Sequence, residues 1–394
     1  MRIAVVIAYT LLTASCMRTV PTGTLPAGYD AISLARVAYK LLYSFKAGED
    51  AGVPDGRLTN VDGTLYGTTY GGGGGYEWGT VYSITTDGVE HVLHRFKAGK
   101  DGAHPEGALT DVNGTLYGTT YQGGATGSGT VFAITTTGKE HVVYSFKGGD
   151  DGQYPYCTLL AVGGNLYGTT FQGGTPSGWG VVFKLTTTGS EHVLYRFQAN
   201  NDGAHPYAGL IVANGKLYGT TYQGGMTGSG TVYSITTAGV EHVIYSFQGG
   251  NDGQYPYAGL TDIKNELYGT TYQGGISTGW GTVFKVNPAG GENVLYRFRA
   301  GLDGAHPVYS GVSFANGMLY GTTYQGGSKG SGIVYGMTLG GSEKVLYSFK
   351  GGADGLYPYA GLIDVDGTFY GTTTAGGTGD CSGTGCGTVF KITP

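Results

Sequence analysis

The sequence predicts an all-β fold: a seven-bladed β-propeller of four-stranded antiparallel blades, closed by the N-terminal strand pairing with the C-terminal blade. Three observations predict it. A phrase such as LYGTTYQGG returns seven times, each period holds four short strand signals, and the two terminal fragments complete one another.

The Leu or Phe that opens each phrase falls at 65, 116, 166, 217, 267, 319 and 369, in steps of 51, 50, 51, 50, 52 and 50. A period near fifty is propeller length. Within residues 105–147 the strand candidates are GALTDV, TLYGTTY, GTVFAIT and EHVVYSF, with Asn113-Gly114 and TTTG as tight hairpin signals. No stretch has a helical period long enough to compete. The repeats begin with a lone fourth strand, KLLYSF at 40–45, and end on a third strand, GTVFKIT at 387–393. Pairing the two leaves no open sheet edge. The blades then span approximately 54–97, 105–147, 155–198, 206–248, 256–299, 308–350, and 358–394 plus 40–46.

In the repeated strand, Leu116, Gly118 and Thr120 face one way and Tyr117, Thr119 and Tyr121 the other. Blades stack face to face, so a Tyr face meeting a Leu-Gly-Thr face is complementary. The repeat is expected to be scaffold.

Composition agrees with glycine-rich turns between aromatic and β-branched strands: 79 Gly, 33 Tyr and 12% charged residues, against about 7% Gly and about 25% charged residues in an average domain. The net charge of -5 and the scattered Lys and Arg give no phosphate-tracking surface. Nucleic acid is not an expected partner.

Residues 1–16, MRIAVVIAYTLLTASC, read as a secretory signal too short to span a membrane. The LLTASC ending resembles a bacterial lipoprotein signal, with Cys16 as the lipidated anchor, although Thr13 departs from the usual aliphatic residue. Residues 17–39 are then a tether and 40–394 the propeller. The expected location is the cell envelope or cell surface, with the membrane touched only through the lipid and the protein acting as a monomer. Cys381 and Cys386 in CSGTGC are expected to form a local disulfide, and Cys157 to be a buried small hydrophobe.

Strand order places the loops joining strands two to three, and each blade to the next, on one face; they are the long ones. Their candidate ligand-binding residues are Trp78, Trp179 and Trp280; the amides Gln122, Gln172, Gln223, Gln273 and Gln325; and, before the loop proline, His104, Tyr154, His205, Tyr255, His306 and Tyr357. Flat rings and amides among few charges suit a neutral polyhydroxylated ligand. The alternative is that Trp and Gln close the loops on one another. Each blade-to-blade loop also carries an Asp (Asp50, Asp101, Asp151, Asp202, Asp252, Asp303, Asp354), read first as a turn former, with calcium the only cofactor alternative.

No catalytic constellation stands out. Glu90-His91-Val92-Leu93-His94 lies on a strand and cannot place both imidazoles on one ion, and there is no GxSxG elbow. The residues that differ in one blade, Glu77, Asp55, Glu106, Lys329 and Asp380, suggest no site, and no metal site is expected. His104, His205 and His306 stand where they ring the channel mouth, but every second blade is too distant for a shared ion.

LYGTTYQGG followed by GSGTVFAIT and HVVYSF resembles the GloVer tandem-repeat family over residues 40–394, and more loosely the kelch propellers. The resemblance implies exported or surface-anchored bacterial proteins and supplies no catalytic residue. Together these readings point to a surface protein that binds a glycan or polysaccharide on the long-loop face. The rival is a scaffold or adhesin for an envelope protein; the third is a carbohydrate-active enzyme such as a lyase.

Overall fold

A computed structural model describes residues 37–72, 78–176, 178–276, 279–309, 311–381 and 383–394. The proposed signal, the lipidation site Cys16 and Glu77 lie outside these residues. Seven four-stranded antiparallel sheets follow one another as consecutive meanders. In the second blade the strands are Thr110–Val112, Thr115–Thr120, Thr130–Thr135 and Glu140–Ser145. The innermost strand is three residues long, which suits the crowded axis. At the first hairpin Asn113 (φ 54°) and Gly114 (φ 81°) are both left-handed, as the two central residues of a type I′ turn must be.

The ring closes as the terminal fragments predict. Residues Ala38–Ser44 pair antiparallel with Thr388–Thr393, from Ala38 opposite Thr393 to Ser44 opposite Thr388. The closing strand begins two residues before the sequence motif and carries its own lock. Where the other outer strands start with Glu (Glu90, Glu140 and their counterparts), this one has Tyr39, whose ring lies 3.8 Å from that of Tyr347, nearly parallel. Its hydroxyl donates to the Asp354 carbonyl at 2.8 Å.

Each letter of the repeated phrase has a structural task. Leu116 is fully buried. Tyr117, with Val131 and Phe146, packs on Leu166, Val181 and Phe183 of the third blade. Gly118 leaves room for Phe132, its cross-strand partner: a Cβ there would stand 2.5 Å from the ring. Thr119 donates to the Cys157 carbonyl of the next blade at 2.9 Å. Thr120 meets Thr130 across the sheet at 2.8 Å and also donates to the Gln122 carbonyl. Cys157 is buried and free, and burial pushes its thiol up to about 11.

A single backbone motif ties blade to blade. The residue before each loop proline sits at φ between 56° and 61° in His104, Tyr154, His205, Tyr255, His306 and Tyr357, and at 59° in Val53. The His104 N–H donates to the Trp78 carbonyl of the preceding blade (2.8 Å), while the His104 carbonyl accepts from the Tyr121 N–H of its own blade (3.0 Å). The same pair of bonds recurs in all seven copies, ending with Val53 N–H to the Cys386 carbonyl at the seam. The proline that follows closes on a glycine of the preceding blade: a Cβ on Gly129 would stand 2.6 Å from Pro155 Cδ.

The gaps at the rim hold paired acids. Glu90, Glu191, Glu241, Glu292 and Glu343 are raised from 4.5 to about 7, by burial first and then by the loop aspartate of the neighbouring blade. A carboxyl raised in the folded state binds extra protons there between its unfolded and folded values, so its contribution is full below pH 4.5 and is lost as pH rises through 7. Thermal unfolding is therefore expected at a lower temperature at pH 8 than at pH 5.5, with the Gln variants of these five residues showing a shallower fall. The Gln variants isolate this effect from the buried imidazoles, which act in the opposite sense. Tyr117→Ala is expected to cost roughly 3 kcal/mol or more in a denaturant titration, because it opens a cavity between blades.

Candidate functional site in the central channel

The sequence-selected loop residues are largely engaged with one another. His104 stacks on Tyr70 (4.2 Å between centroids), meets Trp78 edge-on (5.3 Å), and its Nδ1 lies 2.9 Å from the Tyr70 carbonyl. His205 repeats this with Phe171 and Trp179, and His306 with Tyr272 and Trp280. Burial pulls all three imidazoles below their ordinary pKa. In the alternate blades Tyr154 lies against Tyr121, Tyr255 against Tyr222 and Tyr357 against Tyr324. Gln153 donates to Gln172 and Gln254 to Gln273. The backbones of Gln122, Gln223 and Gln325 bridge to Ala103, Ala204 and Ala305. The indoles stay half-buried beside the inter-blade cores.

The loop aspartates act as turn formers. Asp151 accepts the Tyr144 hydroxyl on one oxygen and the Lys147 N–H on the other, both at 2.6 Å. Cys381 and Cys386 form the expected disulfide, and the Cys386 carbonyl serves where a Trp or Ser carbonyl serves elsewhere.

What the structure adds lies on the axis. The residue that follows or nearly follows each loop proline points into the channel, and in five blades it is tyrosine: Tyr156, Tyr207, Tyr257, Tyr309 and Tyr359. These rings touch in series, Tyr156 with Tyr207 at 4.3 Å, Tyr207 with Tyr309 at 4.8 Å, and Tyr309 with Tyr359 at 4.3 Å. Blades 1 and 2 break the series with Asp55 and Glu106. Two residues beyond Asp55, Arg57 occupies a place filled elsewhere by Ala108, Thr158, Gly209, Gly259, Gly311 and Gly361. It reaches past blade 7 to Ser313 of blade 6, Nη2 to Oγ 3.5 Å. The five tyrosines, Asp55, Arg57 and Glu106 line a cavity of about 430 Å³, within the ~300–1,000 Å³ usual for small-molecule sites.

Asp55 and Glu106 are half-buried and Arg57 is exposed, and all three line the cavity. Among the described residues neither carboxylate has a hydrogen-bond partner, and both line the cavity. Burial raises Asp55 to about 7. Glu106 is held well above the carboxylate range by burial and by the charge of Asp55. Both carboxyls are thus displaced toward their protonated forms. Arg57 adds a guanidinium to the same lining, its pKa lowered by desolvation in the channel. Sequence reasoning found Asp55 and Glu106 as outliers but saw no constellation; the structure joins them and adds Arg57, which a column-by-column comparison of the seven copies reveals.

Fold and channel together define a seven-bladed propeller with a polar, asymmetric cavity on its axis. The chain belongs to the Gloeobacter/Verrucomicrobia repeat family, whose model matches residues 31–225, 73–279 and 277–394. No curated protein matches it. Among solved structures it is similar to a puromycin-hydrolyzing peptidase from Mycobacterium tuberculosis, at 11% identity and a TM-score of 0.51, over 85% of this chain and 52% of that one. It is also similar to the PQQ-bound aldose sugar dehydrogenase of Streptomyces coelicolor, at 13% identity and a TM-score of 0.47, over 91% and 98%. These likenesses show the propeller fold alone.

Replacing Asp55 by Asn removes a neighbouring charge but not the burial. Glu106 is then expected to titrate at lower pH than in the wild type while staying above an ordinary glutamate, as followed by carbon NMR of the labelled carboxyl. An unchanged titration would show that the two groups do not feel each other.

Proposed function

We infer that this is a non-enzymatic binding protein of the cell envelope, taking part of a neutral glycan into its central cavity from the long-loop face. The supporting observation is the break in the tyrosine series: two carboxyls and one guanidinium lining a ligand-sized, tyrosine-lined space. Carboxyls, phenols and guanidinium supply the donors and acceptors that sugar hydroxyls need, and aromatic faces supply stacking surface. The outer Trp residues, already packed on His, are assigned to shaping the mouth. Export and lipidation at Cys16 are part of the same proposal and rest on the N-terminal sequence.

The carboxyl pair also favours a second reading, a carbohydrate-active enzyme, because one protonated and one ionised carboxyl is the pairing that glycoside cleavage uses. The protein-scaffold alternative draws on no comparable feature.

A screen of the purified protein on glycans and polysaccharides separates these readings. Binding is expected, and Arg57→Gly and Glu106→Tyr, which restore the residues of sister blades, are expected to abolish it with the fold intact. Loss of binding in Trp179→Ala and Trp280→Ala but not in Arg57→Gly would move the site to the outer loops. Shortening of a bound polysaccharide, lost in Glu106→Gln, would establish the enzyme. A blank screen with folded protein would favour a protein partner.

A further inference from the structure

Away from the channel, the rim gap between blades 1 and 2 differs from its sisters. In six gaps the outer strand carries a tyrosine, and in all six its hydroxyl donates to the loop aspartate seven residues on at 2.6 to 3.0 Å, as Tyr43, Tyr144, Tyr195, Tyr245, Tyr296 and, beside the closing strand, Tyr347 do. The exception is His94, which puts a ring nitrogen where the others put an O–H. Its Nε2 lies 3.3 Å from Asp101 Oδ2 and 3.9 Å from Glu140 Oε2. One ligand atom from each of the three residues falls within 4.8 Å of the other two.

We propose that His94, Asp101 and Glu140 form a divalent metal site, with zinc as its natural ion, clamping blade 1 to blade 2. Donor atoms 2.0 to 2.1 Å from a tetrahedral zinc stand about 3.3 Å apart; the His94–Asp101 spacing has that value, and the Glu140 oxygen, 3.9 Å from His94, closes in when the ion binds. The donor set of one imidazole and two carboxylates suits a borderline cation. The Glu140 side chain is only 8% exposed, and its Oε1 is buried without a hydrogen-bond partner. Sister glutamates share that unpartnered oxygen, but their gaps contain a phenol proton in place of a nitrogen lone pair. The surroundings hold the ligands in place: the Lys97 N–H donates to Asp101 Oδ2 at 2.7 Å, and Phe96 meets the His94 ring edge-on at 4.8 Å. His94 and Asp101 retain 17% and 22% exposure, which leaves a path for the ion and a side open to water as fourth ligand.

The test uses the whole chain, stripped with a chelator and titrated with zinc chloride in a calorimeter, with thermal unfolding in parallel and calcium chloride as control. One zinc per chain and a raised unfolding temperature are expected, with no response to calcium. His94→Tyr installs the residue of the sister gaps and is expected to fold normally while binding zinc at least about tenfold more weakly, since even supporting residues of metal sites cost that much. Absence of zinc binding would overturn the proposal. So would equal binding by His94→Tyr, which would place the ion on exposed imidazoles such as His91 and His141.

Discussion

The structure depends on one repeated backbone contact. Before each loop proline, a residue held in the left-handed region gives its N–H to the preceding blade and its carbonyl to its own blade. A non-glycine residue pays a conformational cost there, commonly on the order of 1 kcal/mol or more, and two hydrogen bonds hold it in place. The contact fixes where the next proline lands, and so where the following residue enters the channel. It also aims the His or Tyr side chain of that residue at the aromatic ring of the repeated phrase. Without it, neither the close stacking of blades nor the tyrosine series on the axis would be specified.

Much of this fold was legible because its determinants are local. Asn113-Gly114 specifies a turn by itself, two-residue alternation specifies the faces of LYGTTY, and the complementary ends at 40–45 and 387–393 specify closure. The site was less legible because its members meet only through topology. Trp78 and His104 come from adjacent blades, and their alternation in sequence reads equally well as ligand-binding or as mutual packing. Asp55 and Glu106 stand out along the chain, but nothing local says that equivalent positions of neighbouring blades converge at the axis. Arg57 is harder still, since a lone Arg in a loop is ordinary until its counterparts prove to be Gly, Ala and Thr. His94 was weighed only against His91 on its own strand, whereas the groups that come nearest it are Asp101, seven residues on, and Glu140 of the next blade.

The departures on the axis and in the rim tyrosine row cluster. Asp55, Arg57, His94 and Glu106 all belong to blades 1 and 2, while the other five blades keep the consensus on the axis and a phenol at the rim. A repeated scaffold suits this division, because inter-blade contacts made seven times over tolerate the burial of a few poorly paired charges in one sector.

Closure has a consequence for how the molecule is made. Residues 38–44 leave the ribosome long before residues 388–393, their sheet partners, have been synthesised. Until then the early strand waits with its hydrogen-bonding edge open and the last sheet is one strand short, so no partial ring is free of adhesive edges. Joining segments so far apart in sequence is also an entropically slow step. Ring formation thus acts as a check on completeness, in which a chain that stops early stays visible to chaperones and proteases.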